Sequence, residues 1–317
     1  MSEFDLIRDY FHWQNPPDSV RVSVGDDAAV LSMPAGRELV VSVDTFNAGI
    51  HFPRATPPHA IGYKALAVNL SDLAAMGAEP AWFTLAISLP EADRAWISEF
   101  ARGMRELAQQ HGIFLIGGDT TRGPLSITVQ VMGFVRPGRA LLRSNAKQGD
   151  LICVSGTLGD AAAGLAVVQQ GLELSVDAAE YCVQRLNYPT PRNALTDILG
   201  EHANACMDIS DGLLADLGHI LKASQLGAKL EHARLPFSAA LLQLPLEQRL
   251  EFALTGGDDY EVLFTLPPAR FETVKNAAAE RGVLFTNIGK VNENIGDLQL
   301  DHGLSAKKQG YDHFSAN

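Results

Sequence analysis

The sequence predicts a mixed α/β (α+β) fold built as two domains, on three observations. Short apolar runs bounded by Gly, Asp or Pro alternate along the chain with stretches of helical periodicity. A basic, turn-rich segment at 136–149 interrupts this alternation, which resumes with a new apolar run at 151–154. A length of 317 residues, 46% of them hydrophobic and 20% charged, is enough for two compact cores. The expected domains are 1–145 and 146–317.

Phe4, Ile7, Tyr10 and Phe11 recur at helical spacing and predict a short first helix, stopped by Pro16 and Pro17. Val20, Val22 and Val24 alternate with polar residues as in a half-buried strand, and further strands are expected at 28–33 and 38–43. From about 58 to 76, Ile61, Ala65, Val68, Leu73 and Met76 follow a helical repeat, with Gly77 placed as its C-terminal cap. Strands are predicted at 82–89, 113–116 and 127–135, with an amphipathic helix at 91–111 ended by Gly112. In the second half, helices are expected at 159–170, up to 185, at 213–226 and at 268–281. Strands are expected there at 205–209, 261–266, 284–291 and 298–300.

Composition removes several function classes. A net charge of -12 disfavours a nucleic-acid partner, because affinity for a phosphate backbone rests on clustered Lys and Arg. No basic stretch followed by an apolar run opens the chain and no segment is apolar for the ~18 residues of a membrane span, so a cytoplasmic protein is expected. Cys153, Cys182 and Cys206 lack CxxC spacing and lie among apolar residues, as buried thiols do.

The chemistry concentrates in aspartates at strand ends or beside glycine: Asp26 and Asp27 after Gly25, Asp44 after Ser42 and Val43, Asp119 after Gly117 and Gly118, Asp208 and Asp211 around Ser210, and Asp258 and Asp259 after Gly256 and Gly257. Each alone is an ordinary turn or cap residue. Asp72 differs, since it falls in the last turns of the long helix, where the negative end of the macrodipole disfavours a carboxylate. Should such groups converge, two unit charges ~4 Å apart repel by about 4 kcal/mol at an effective dielectric of ~20, and bound cations remove that cost. Carboxylates without His or Cys suit hard ions, and magnesium commonly combines one or two carboxylates with substrate phosphates. Polyphosphate chemistry is the leading class, although no GxxxxGK[ST] loop, GxGxxG turn or HRD/DFG set is present.

Three long motifs stand in register: KALAVNLSDLAAMGA at 64–78, IGGDTTRGP at 116–124 and GYDHF at 310–314. With them the chain resembles the thiamine-monophosphate kinases, in the superfamily that includes aminoimidazole ribonucleotide synthetase and selenophosphate synthetase. The resemblance implies two α/β domains, the first pairing its sheet across a homodimer and the second completing the ATP and substrate sites. It implies that Asp27, Asp44, Asp72, Asp119 and Asp208 bind several Mg2+ ions, with Ser42 and Asp211 in support and Val43 contributing only its carbonyl. Gly118, Asp119, Arg143 and Ser210 match positions that contact ATP; His51, Asp258 and Tyr311 match positions that hold thiamine monophosphate. Val43 stands where Thr is expected, and Asp258 where Glu is commoner.

The activity so implied is in-line transfer of the γ-phosphoryl group of ATP to thiamine monophosphate, giving thiamine diphosphate. No general base is expected, since an acceptor phosphate with a second pKa of about 6 is already largely a dianion at neutral pH. Asp119 and Asp208 would act through metal. The competing readings are a non-catalytic sensor of nucleotide or thiamine phosphate and another ATP-using enzyme of the superfamily. Against the latter, the first cysteine is Cys153 and the chain ends in Ser315, Ala316 and Asn317, without the reactive Cys near either end that such relatives carry.

Overall fold

Ile127, Val129 and Val131 alternate with polar partners and bury one side of a ten-residue strand, around which the first half of the chain assembles. The structure, a computed structural model, describes residues 2–301. The chain divides into two compact units, Met1–Leu73 with Ala78–Gly138, and Ala74–Gly77 with Arg139–Asn317. The division near 138 falls inside the turn-rich segment.

In the first unit, α1 (Glu3–Leu6), with a Ser2 capping box, runs into a π-helical turn, Ile7–Phe11. A small hairpin, β1 (Val20–Val22) and β2 (Val30–Leu31), precedes β3 (Glu38–Asn47), α2 (Pro58–Ala75), β4 (Glu79–Leu89), α3 (Arg94–His111), β5 (Phe114–Arg122) and β6 (Ser126–Val135). The four-stranded sheet has the order β3-β6-β4-β5; β4 and β5 are parallel and joined through α3, while the other pairs are antiparallel. Asp93 caps α3 through the Ala95 and Trp96 N–H groups, and Gly112 ends it in the left-handed conformation. The two helices approach closely enough that a methyl group on Gly62 would strike the Phe100 carbonyl, and one on Gly103 the His59 carbonyl.

The sequence reading placed a turn after 116, but β5 continues through Gly117, Gly118 and Asp119 to Arg122. Glycines here serve close strand approach: Gly118, at φ +150°, packs its α-carbon against the Leu85 carbonyl of β4. The strand expected at 28–33 shrinks to two residues of β2.

The second unit contains β7 (Leu151–Ser155), α4 (Asp160–Gln170), α5 (Val176–Asn187), α6 (Thr196–His202), β8 (Ala205–Asp208), α7 (Leu213–Ser224), β9 (Gly227–Leu230), α8 (Leu246–Thr255), β10 (Val262–Leu266), α9 (Phe271–Glu280), β11 (Phe285–Asn292) and β12 (Leu298–Leu300). Its sheet has the order β12-β9-β11-β7-β10-β8, antiparallel except for β12 with β9. Strand alternation divides the core into two layers. Ile152, Val154, Met207 and Leu263 pack with Leu217 and Leu221 of α7 and Leu250 of α8, whereas Cys153, Cys206, Val262 and Phe264 pack with Leu199 of α6 and Val274 of α9. All three cysteines are free and buried, and burial raises their thiol pKa values, that of Cys182 to about 12.

Candidate active site

On β3 the two-residue period puts Ser42 and Asp44 on the face that also carries the buried Phe46. Asp72 meets Ser42 from the last turn of α2. Ser42 Oγ donates to Asp72 Oδ2 at 2.5 Å, so the hydroxyl offsets part of the cost of a carboxylate at the negative end of a helix. Ser42 and Asp72 thus come together as oxygen donors, with Asp44 two residues along on the same face of β3, each of the three half-buried. The Val43 side chain points to the opposite face and is 54% exposed, which leaves only its carbonyl as a possible donor.

Asp119 is exposed on β5, at the opposite edge of the sheet from β3, and Asp27 is exposed in the turn after β1, its N–H donating to Asp26 Oδ1 at 2.9 Å. Among the described residues no three Asp, Glu, His or Cys side chains gather around one point tightly enough to hold an ion by themselves.

His51 follows β3. Its Nδ1 accepts the Asn47 N–H at 3.0 Å and its ring stacks on Phe46 with centroids 5.2 Å apart. With Nδ1 acting as acceptor, the neutral ring carries its proton on Nε2, which is therefore a donor.

In the second unit Asp208 ends β8 and is buried, and the turn 209–212 leads into α7. The turn is held by a residue that motif reading passed over. Asp216, buried in the first turn of α7, accepts the Ser210 N–H at 3.0 Å and the Asp211 N–H at 3.1 Å. Burial pushes its pKa up to about 7, with the Asp211 charge adding to the rise and the backbone N–H bonds opposing it. Its trace in the sequence is a carboxylate set within the apolar stripe Leu213, Leu214, Leu217 and Ile220. Asp216→Ala is expected to leave both N–H groups without their acceptor and cost about 2–4 kcal/mol, read from the urea unfolding midpoint.

The loop after α8 is laced to the same turn. Asp258 N–H donates to the Ser210 carbonyl and Tyr260 N–H to the Ile209 carbonyl, both at 2.9 Å. Gly257 lies so close to the Ser210 carbonyl that a side chain there would collide with it. Ser210, Asp211 and Asp258 are consequently brought together. Arg143 is exposed on a 3-10 turn, Arg143–Asn145, whose first carbonyl accepts Ser224 Oγ at the end of α7 at 2.9 Å. Tyr311 and the 310–314 motif lie outside the described residues.

Comparison with known proteins matches residues 25–135 to the N-terminal domain, and 147–300 to the C-terminal domain, of AIR synthase related proteins. The thiamine-monophosphate kinase of Escherichia coli K12 is 47% identical over 320 residues, covering 99% of this chain and 98% of that protein. The Bacillus subtilis enzyme of the same name is 35% identical, covering 99% and 100%. Among solved structures, thiamine-monophosphate kinase from Stenotrophomonas maltophilia superposes with a TM-score of 0.87 at 47% identity, covering 94% of this chain and 95% of that one. AaThiL, complexed with AMPPCP and TMP, superposes with a TM-score of 0.79 at 31% identity, covering 98% and 96%.

Proposed function

The chain belongs to the thiamine-monophosphate kinases of the AIR synthase related family, and from that membership we propose how its residues carry out the reaction. It transfers the γ-phosphoryl group of ATP to thiamine monophosphate, forming thiamine diphosphate. The observation that carries the residue-level reading is the Ser42–Asp72 hydrogen bond beside Asp44, which joins oxygen donors from two distant segments without a His or Cys among them. This donor set fits Mg2+.

Asp27, Ser42, Asp44, Asp72, Asp119, Asp208 and Asp211 would hold Mg2+, with Val43 offering its carbonyl. When bound, such ions neutralise polyphosphate charge and polarise the transferred phosphoryl group. Gly118, Asp119, Arg143 and Ser210 contact ATP in this reading, the Arg143 guanidinium matching phosphate oxygens with its planar fork of donors. His51, through Nε2–H, and the Asp258 carboxylate meet the acceptor, one suited to its phosphate and the other to its cationic thiazolium ring; Tyr311 completes this set. The acceptor is already largely a dianion, so these residues bind and align, and none has to remove a proton.

Two further elements of the reading are a cytoplasmic location and a homodimer. The three buried free thiols agree with a reducing compartment, and no helix among the described residues is long and apolar enough to cross a membrane. For the dimer, β3 is an edge strand that turns Leu39, Val41 and Val43 outward at alternate positions, a row of apolar side chains beside unpaired backbone. Sedimentation is expected to give twice 34.1 kDa for the native chain and 34.1 kDa for Val41→Lys; a native monomer would remove the dimer from the account.

The test of the function is product analysis by mass spectrometry after incubating the protein with ATP, Mg2+ and thiamine monophosphate, beside thiamine in place of the acceptor and an EDTA-treated sample. Thiamine diphosphate and ADP are expected only in the complete mixture. Binding of both substrates without product would instead identify a sensor.

A further inference from the structure

The loop that presents Asp258 is strained and is anchored from behind by a buried ionic cluster with no part in the chemistry described above. Asp258 and Tyr260 are two of the few non-glycine residues with positive φ, at 70° and 49°. Such conformations cost on the order of 1–3 kcal/mol each and persist only where the surroundings over-determine them. On one side the loop is tied to the 209–212 turn by the two backbone hydrogen bonds already described. The next residue, Glu261, is fully buried at the entry to β10 and makes four polar contacts. It accepts Ser155 Oγ at 2.5 Å, Arg185 Nη2 at 2.9 Å, and Arg192 through Nε at 2.6 Å and Nη2 at 2.5 Å. Arg185 also reaches the Asp259 carbonyl at 3.5 Å. Between the two strained residues, Asp259 is 1% exposed, with one carboxyl oxygen accepting the Gly159 N–H at 2.8 Å and the other without a hydrogen-bond partner among the described residues. Burial holds the pKa of the Asp259 carboxyl well above the usual carboxylate range, against the pull of the Gly159 N–H and Arg185.

A buried carboxylate with two arginines is a poor device for stability alone, because apolar side chains of similar volume commonly do as well or better. Its value lies in direction. Arg192 meets Glu261 with two nitrogens of its planar fork and Arg185 with one, which holds the chain where it leaves the loop for β10. We propose that Glu261, Arg185 and Arg192 form a positioning clamp that fixes the left-handed backbone of Asp258 and Tyr260 and thereby aims the Asp258 carboxylate at the cationic acceptor. This rests on the reading of Asp258 as an acceptor-binding residue.

The test is a double-mutant cycle in the full chain with Arg192→Gln, Asp258→Ala and the pair, measuring KM for thiamine monophosphate and for ATP together with kcat. Arg192→Gln is expected to raise KM for thiamine monophosphate roughly tenfold, as small misplacements of binding groups do, with KM for ATP nearly unchanged. Acting through Asp258, it should add little to Asp258→Ala in the double variant. Arg192→Lys keeps the charge but loses the fork, so it should give a smaller rise and guards against a folding failure of the Gln variant. Effects that multiply in the pair, or a rise in both KM values alike, would overturn the clamp. An unchanged KM in Asp258→Ala would remove the reading of Asp258 itself, whereas a raised KM there beside an unaffected Arg192→Gln would overturn the clamp alone.

Discussion

Asp72→Asn should lower turnover by roughly two to three orders of magnitude while leaving the folded state as stable as the native one, or slightly more so. The two expectations have opposite signs for a physical reason. The amide keeps an oxygen able to accept the Ser42 hydroxyl, so the link between β3 and α2 survives. Removing a negative charge from the last turn of a helix relieves an unfavourable dipole interaction worth a few tenths of a kcal/mol. What is lost is a full charge beside Asp44, in a set whose reading depends on oxygen anions meeting cations and phosphate. Saturating steady-state rates and a thermal melt on the same preparation separate the two quantities. Turnover within about threefold of native would refute the role given to this carboxylate, whatever the melt showed.

Gly118→Ala should destabilise the fold by about 3–5 kcal/mol, although the position is exposed. Its backbone is at φ +150°, and an added methyl group would run into the Leu85 carbonyl, which belongs to the neighbouring strand and cannot move without breaking the β4–β5 ladder. Gly117→Ala supplies the control, since nothing lies within 4 Å of a methyl group there. Urea unfolding of the two variants should therefore differ by several kcal/mol for the same chemical change one residue apart. Equal stabilities would mean that β5 does not approach β4 as described.

The parts of this site that were legible in the sequence are those whose signature is local. The repeat of Ile61, Ala65, Val68 and Leu73 specified α2, and the misplaced charge of Asp72 at its end singled that residue out before any contact was known. The apolar surroundings of Cys153, Cys182 and Cys206 announced buried thiols. The course of β5 was less legible, because Gly117, Gly118 and Asp119 have the composition of a turn and the contact that makes them a strand is with Leu85, a residue of a different segment. Asp216 was hidden because an acidic residue early in a helix is ordinary; only its position within an apolar stripe marks it. The clamp on Glu261 could not be read locally at all, since Arg192 and Ser155 stand 69 and 106 residues from it. From the sequence, Glu261 is only the first residue of the strand expected at 261–266, beside Asp258 and Asp259. In the structure the three differ sharply in surroundings, with Asp259 buried and accepting the Gly159 N–H and Glu261 ion-paired to two arginines.

On the proposed mechanism this chain binds and aligns two phosphates for direct transfer, and no side chain becomes phosphorylated. The stereochemical course at phosphorus tests it most directly, using ATP made chiral at its γ-phosphorus with oxygen isotopes and thiamine monophosphate as acceptor. Inversion of configuration in the thiamine diphosphate is the predicted result, because a single in-line displacement inverts the centre once. Retention would contradict the claim, since it requires two displacements and therefore a phosphorylated group on the protein.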